Sequence, residues 1–169
     1  MTKSYIFSLA NKLMLRFSAL LILVFIPLAL AGQKPADFSG TWIQDNSKGN
    51  DILEGIHLTL TITQTDKTIT IKETYFNDKG KEEDSRQSSF SLDGKEVVKK
   101  EPQWVTRQSA TWSPDIKEIT IKTTQTLETQ IVEAYEIYSL SESGLILTLK
   151  RYNAQAKDHI LISVFNKNK

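Results

Sequence analysis

Ile56-His57-Leu58-Thr59-Leu60-Thr61-Ile62-Thr63 alternates an apolar with a polar side chain at every step. A period of two puts four aliphatic side chains on one face of an extended strand and leaves His57 and the threonines on the other. The stretch is a β-strand with one face against a core. The next residues repeat the pattern: Thr65-Asp66-Lys67-Thr68 turns the chain back, and Ile69 and Ile71 carry the alternation on to Tyr75. Asn77-Asp78-Lys79-Gly80 is a hairpin turn built of residues that tolerate positive φ.

Further along, residues 81–84 form a charged tip and residues 85–92 a weak strand whose apolar members are Phe90 and Leu92. After the Asp93-Gly94 turn, residues 95–100 offer Val97 and Val98 as a short edge strand, which Pro102 interrupts. From Trp104 to Trp112 the even positions read Trp, Thr, Gln, Ala, Trp, so both tryptophans share a face. Ser113-Pro114-Asp115 turns the chain into a strand with Ile119 and Ile121. Residues 130–140 are the longest strand candidate, apolar on both parities, so its inward face is open at this point. Ser141 to Gly144 turns it into a strand with Leu145, Leu147, Leu149 and Arg151 on one face, and residues 153–158 lead to a closing strand at 159–165. Ahead of the opening stretch, Gly40-x-Trp42 begins the first strand, and residues 45–55 read as a loop or one short helical turn across the end of a sheet.

Eight to ten short strands, spaced roughly 8 to 12 residues apart, indicate an all-β sandwich or barrel. Hairpin order favours a single antiparallel up-and-down β-barrel, because a Greek-key sandwich needs longer crossovers than these turns provide. The interior of such a barrel is either filled by side chains or holds one small ligand.

The first 31 residues do not belong to that fold. Residues 1–16 carry Lys3, Lys12 and Arg16 and no acid, residues 17–28 are apolar apart from Ser18 and Pro27, and Ala29-Leu30-Ala31 is a small-x-small cleavage site. This is the pattern of a secretory signal peptide, with Met14 as an alternative start. The apolar run is shorter than the roughly 20 residues of a membrane span, so no membrane span is expected after cleavage. The expected mature chain is one domain, residues 32–169, secreted or periplasmic and monomeric. It has no cysteine, so it carries no lipoprotein anchor and folds on its core alone. Its 18 basic against 20 acidic residues (the three signal-peptide cations removed from 21) argue against nucleic acid as a partner.

No catalytic or metal constellation stands out, and no cofactor is implied. The two histidines, His57 and His159, have no cysteine to assist them, and no nucleophile motif accompanies either; the chain is not expected to be an enzyme. Three glutamates lie two residues from a tyrosine, Glu73 with Tyr75, Glu133 with Tyr135 and Glu136 with Tyr138, each pair on one strand face. The candidate ligand face is that of Trp104, Gln108 and Trp112, with Thr106 and Ala110 between, joined by Tyr75 and Tyr135. Large aromatics with a few placed polar groups suit a small apolar or amphipathic molecule. The alternative is a filled core, with function on the loops at 45–55 or 95–103 and an envelope protein or a protease as partner.

Phe38-Ser39-Gly40-Thr41-Trp42 after a signal peptide, with Ser139 to Gly144 and Leu147-Thr148-Leu149 late in the chain, resembles the small secreted lipocalin-like proteins of bacteria. The resemblance covers most of the mature chain and implies a calycin-type barrel with Gly40 and Trp42 in its first strand. It also implies that a late basic residue, here Arg151, covers Trp42 at the closed end. The family's second motif, Thr-Asp-Tyr, is absent, which keeps the resemblance at the level of the barrel class.

Overall fold

The computed structural model describes residues 34–168, so the expected signal peptide lies outside the described residues. Ten antiparallel strands follow one another: β1 (Gly40–Gly49), β2 (Ile56–Gln64), β3 (Thr68–Asn77), β4 (Glu82–Ser91), β5 (Val97–Lys100), β6 (Val105–Trp112), β7 (Glu118–Leu127), β8 (Gln130–Leu140), β9 (Ile146–Asn153) and β10 (Leu161–Lys167). They form one sheet in the order β4-β3-β2-β1-β10-β9-β8-β7-β6-β5. The sheet curls into a nearly closed up-and-down barrel, with β4 beside β6 and a lone bridge from Asp93 to Thr111 across the seam. Among the described residues, no helix is long and apolar enough to cross a membrane.

The period-two pattern sets what faces inward. Leu58, Leu60 and Ile62 of β2 are buried, as are Ile69 and Ile71 of β3, Ile119 and Ile121 of β7, and Leu147 and Leu149 of β9. In β8 the even positions turn inward, so Tyr138 is buried, whereas Tyr135 lies on the outer face, stacked on Tyr152 at 5.1 Å with the Lys122 ammonium 5.9 Å away. The turns obey local chemistry. Asn77 Oδ1 accepts from the Lys79 and Lys81 amides, each at 3.0 Å, and Gly80 takes the positive φ that this turn requires.

The first strand is longer than residues 45–55 lead one to expect. It continues to Gly49 through an irregularity between Gln44 and Gly49, where β1 slips against β10, and the connection to β2 shrinks to residues 50–55. A bulge hides a strand from sequence because it breaks the alternation that marks one. The tip expected at 81–84 is likewise mostly strand, since β4 begins at Glu82.

One end of the barrel is plugged. Residues 36–38 cross it, the Ala36 amide donating to the Ile116 carbonyl and the Phe38 amide to Gln64 Oε1, both at 3.0 Å. Trp42 is fully buried and its indole N–H donates to the Phe38 carbonyl at 2.9 Å, while the Phe38 ring meets Trp112 at 6.1 Å. The cation over Trp42 is Lys167, its Nζ 5.0 Å from the ring, and not Arg151. The reason is position along the strands. Lys167 is the direct partner of Trp42 in the β1–β10 pairing, whereas β9 runs away from the plug and has carried Arg151 toward the other end.

Candidate functional site

Above the apolar floor the interior changes character. On β3 the inward row Ile69, Ile71 continues into Glu73 and Tyr75; on β8, reading away from the plug, Tyr138 is followed by Glu136; on β9, Leu147 and Leu149 are followed by Arg151. Strand alternation thus delivers charged side chains to the same level from three sides. A fourth comes from the 50–55 connection. The amides of Asn50 and Asp51 both donate to the Ile162 carbonyl, at 2.9 and 3.2 Å, which fixes Asp51 against β10.

The result is an ionic belt centred on Arg151. Its Nη2 donates to Glu73 Oε1 at 2.7 Å, its Nε to Glu136 Oε1 at 3.1 Å and its Nη1 to Asp51 Oδ2 at 3.2 Å. Each carboxylate has a further donor. Tyr75 Oη donates to Glu73 Oε2 at 2.9 Å, Tyr138 Oη to Glu136 Oε2 at 3.3 Å and Ser163 Oγ to Asp51 Oδ2 at 2.6 Å. A planar guanidinium with donors along three edges suits this divergent arrangement, as a single ammonium would not. Burial disfavours the Arg151 charge, but Glu136 and Glu73 outweigh it and hold the guanidinium above its ordinary value. Burial, then Glu73, pushes the Tyr75 phenol up to about 12, and burial, then Glu136, holds Tyr138 well above the ordinary phenol value.

Open space adjoins the belt. A cavity of about 160 Å³ lies among Ile71, Glu73, Arg86, Ser88, Phe90, Gln108, Ile121, Glu136 and Tyr138. A cleft of about 330 Å³ opens at the β8–β9 side of the mouth, bordered by Ala134, Tyr135, Glu136, Arg151, Tyr152, Asn153, Ala156, His159 and Leu161, so Glu136 borders both spaces. Arg86 lies over the Tyr75 ring at 5.8 Å and is paired with Asp84 at 3.0 Å. Around the open end stand exposed apolar side chains, Ile52, Leu53, Trp104, Leu127, Ile131 and Leu161, between 37% and 58% accessible.

The residues expected to form one ligand face are distributed over the whole molecule. Trp104 precedes β6 and is 45% exposed at the rim, while Trp112 ends β6 beside the plug. Eight residue steps at about 3.3 Å separate them by roughly 26 Å, too far for one small ligand. Gln108 does line the inner cavity, its Nε2 donating to Thr123 Oγ1 at 3.1 Å, and Tyr75 reaches the belt through Glu73. Tyr135 is on the outer face, bonded at 3.3 Å to Glu133, which pairs with Lys122, and with Tyr152 it borders the mouth cleft. All three Glu-x-Tyr pairs are hydrogen-bonded, but only those of Glu73 and Glu136 face the interior. Gly40, at φ +135°, lies so close to Lys167 that an added Cβ would stand 2.8 Å from its Cε. His57 is outside, 3.3 Å from Asp78, and His159 is at the mouth cleft. Asp51 is the member of the belt that sequence reasoning misses, since nothing in a loop's composition marks one carboxylate as inward. Arg151 carries a signal for its place here, being the charged continuation of a buried leucine row.

No family model matches the chain, and no curated protein does. Among solved structures the fold is similar to that of a "secretary abundant heat soluble (SAHS) protein" from Ramazzottius varieornatus, with a TM-score of 0.52 and 11% identity. The likeness covers 80% of this chain and 98% of that one. At this identity what is shared is the fold: an all-β, nearly closed up-and-down barrel of antiparallel strands.

Proposed function

We propose that the chain is a binding barrel, exported as residues 32–169 to the periplasm or beyond, which takes one small amphipathic molecule through its open end and performs no chemistry on it. The observation that carries this reading is the change of character along the barrel axis. Below, the interior is filled by aliphatic and aromatic side chains; above, a polar belt adjoins a cavity of about 160 Å³, and Glu136 separates it from a cleft of about 330 Å³ at the rim. Mostly apolar surroundings with a few fixed polar groups are the usual make-up of a small-molecule site. The aromatic residues engaged differ from the tryptophan pair that the β6 pattern suggested. Gln108 and Tyr138 border the ligand inside, Tyr75 acts on it through Glu73, and Trp104 meets it at the rim.

The test uses a neutral probe, n-octanol, followed by amide NMR of the mature chain. Shifts concentrated at Glu73, Gln108, Ile121 and Tyr138 support the reading. Shifts absent up to the solubility of the probe, together with a bare protein mass in native mass spectrometry, overturn it. One observation favours a second reading, a filled-core barrel acting through its loops on a protein partner: Ile52 and Leu53 stand exposed on the 50–55 connection. Capture of a partner that is lost in Ile52→Ser and Leu53→Ser would carry that alternative.

A further inference from the structure

We propose that the molecule held in this barrel is a cationic amphiphile, an organic ammonium whose head enters the ionic belt and whose apolar part lies toward the rim. The inference rests on the binding reading above and adds the charge and orientation of the ligand.

The belt has more negative than positive charge. Asp51, Glu73, Glu136 and Asp84 stand against two guanidiniums, Arg151 and Arg86. Each nitrogen of Arg151 already faces a carboxylate, and Arg86 is paired with Asp84. An incoming anion would find only Arg86 with nitrogens to spare, a 72%-exposed guanidinium whose Nε is already held by Asp84, within a belt of four carboxylates against two guanidiniums. An ammonium meets the opposite situation, because charge in a sheltered cavity is offset best by a partner of opposite sign.

Hydrogen-bonding valence points the same way. The hydroxyl protons of Tyr75 and Tyr138 are directed at Glu73 and Glu136, and the amide N–H of Gln108 is directed at Thr123. What the two phenols leave for a ligand is lone pairs, and Gln108 leaves its carbonyl oxygen beside one remaining N–H. Gln44, on the inward face of β1 and 9% exposed, gives its N–H to the Asp51 carbonyl at 2.7 Å and keeps a buried Oε1 with no donor. A site with acceptors left over selects a ligand that donates.

Orientation follows from the order of layers. The floor is filled by Trp42, Ile62, Ile69, Leu147 and Phe165, and the inner cavity of about 160 Å³ ends above it on Ile71, Phe90 and Ile121, so a hydrocarbon chain has no room beyond that cavity. Apolar surface is offered at the rim instead, by Trp104, Leu127, Val132 and Leu161. Head inward and tail outward is the arrangement that satisfies both ends.

The experiment compares three probes of equal chain length, n-octylamine, n-octanol and n-octanoate, titrated into the mature chain at neutral pH and followed by amide NMR. Octylamine is expected to bind about tenfold or more tighter than octanoate, with octanol between. In Glu73→Gln with Glu136→Gln the preference for the amine collapses while octanol binding persists, which also certifies that the barrel and cavity are intact. Gln108→Lys, outside the ionic cluster, places a cation in the same cavity and is expected to remove the preference independently. Octanoate binding as tightly as the amine, or an amine preference unchanged in both variants, overturns the proposal while leaving a binding barrel. Failure of all three probes removes the binding reading as well.

Discussion

Replacing Arg151 by methionine tests the belt most directly. The substitution keeps an unbranched chain and removes the cation that Asp51, Glu73 and Glu136 share. Removing one partner of a buried ion pair costs about 3–5 kcal/mol, because the other charge is left uncompensated. Here the arginine is 23% exposed and the carboxylates 17% to 32%, so water screens part of that loss, and about 3 kcal/mol is expected. In urea unfolding followed by tryptophan fluorescence, with a slope of about 1.5–2 kcal/mol per molar, the midpoint falls by roughly 1.5 to 2 M. Arg151→Lys is expected to lose about half as much, since an ammonium reaches fewer of the three acceptors. Adding Glu73→Gln and Glu136→Gln to Arg151→Met should recover part of the stability, because the repulsion goes with the charges. A loss below about 1 kcal/mol for Arg151→Met, or a triple variant less stable than the single one, would refute the role given to this residue.

Gly49→Ala is expected to cost about 2–3 kcal/mol, for the glycine sits at φ +84° and a Cβ would stand 2.1 Å from the Ile162 carbonyl oxygen, a backbone atom that cannot swing aside; Gly80→Ala, with nothing within 4 Å, is the control in thermal unfolding and should lose about 1 kcal/mol. Trp104→Ala should leave stability within about 0.5 kcal/mol of the parent, whereas Trp112→Ala, which empties the space beside Phe38, should cost about 3 kcal/mol by urea titration. In alkali, the raised values of Tyr75 and Tyr138 mean that the folded state holds these protons more tightly than the unfolded one. The associated stability is complete below the ordinary phenol value of 10 and is lost as the pH rises past it through about 12. Phenolate absorbance from Tyr75 and Tyr138 should therefore develop only well above pH 10, with unfolding accompanying it.

The strands were legible wherever one face is apolar and the other is not, because alternation is a direct imprint of a half-buried sheet. β2, β3, β7 and β9 are of this kind. Sequence fell short in β8, where Tyr135 and Tyr138 lie on opposite parities and only the neighbouring strands decide which is inside. It fell short in β1, where the irregularity after Gln44 interrupts the period. The belt was half visible. Glu73 after Ile69 and Ile71, and Arg151 after Leu147 and Leu149, continue buried rows with charge, which is the mark of a polar layer within a core. A solvated glutamate is the commoner meaning of a Glu in a strand, and only the convergence of three strands and a loop on one guanidinium separates the two. Trp104 misled for a related reason: parity gives the face of a strand but not how far the strand extends.

The sheet order gives the last strand a singular place. β10 joins β1 to β9, pairing Ile43 with Asn166, so the two ends of the folded chain meet in the middle of the sheet and its two open edges come from the middle of the sequence. Every other pairing is between consecutive strands. During synthesis, two meanders can therefore form locally, but neither can be joined to the other until the final strand is available, and that union closes the longest loop in the molecule. Until then β1 and β9 are bare edges with hydrogen-bonding groups unpaired, a state prone to mispairing. Loss of β10 would not trim a barrel but leave two separate sheets, and with them a belt lacking Ser163 and the carbonyl of Ile162 that anchors Asp51.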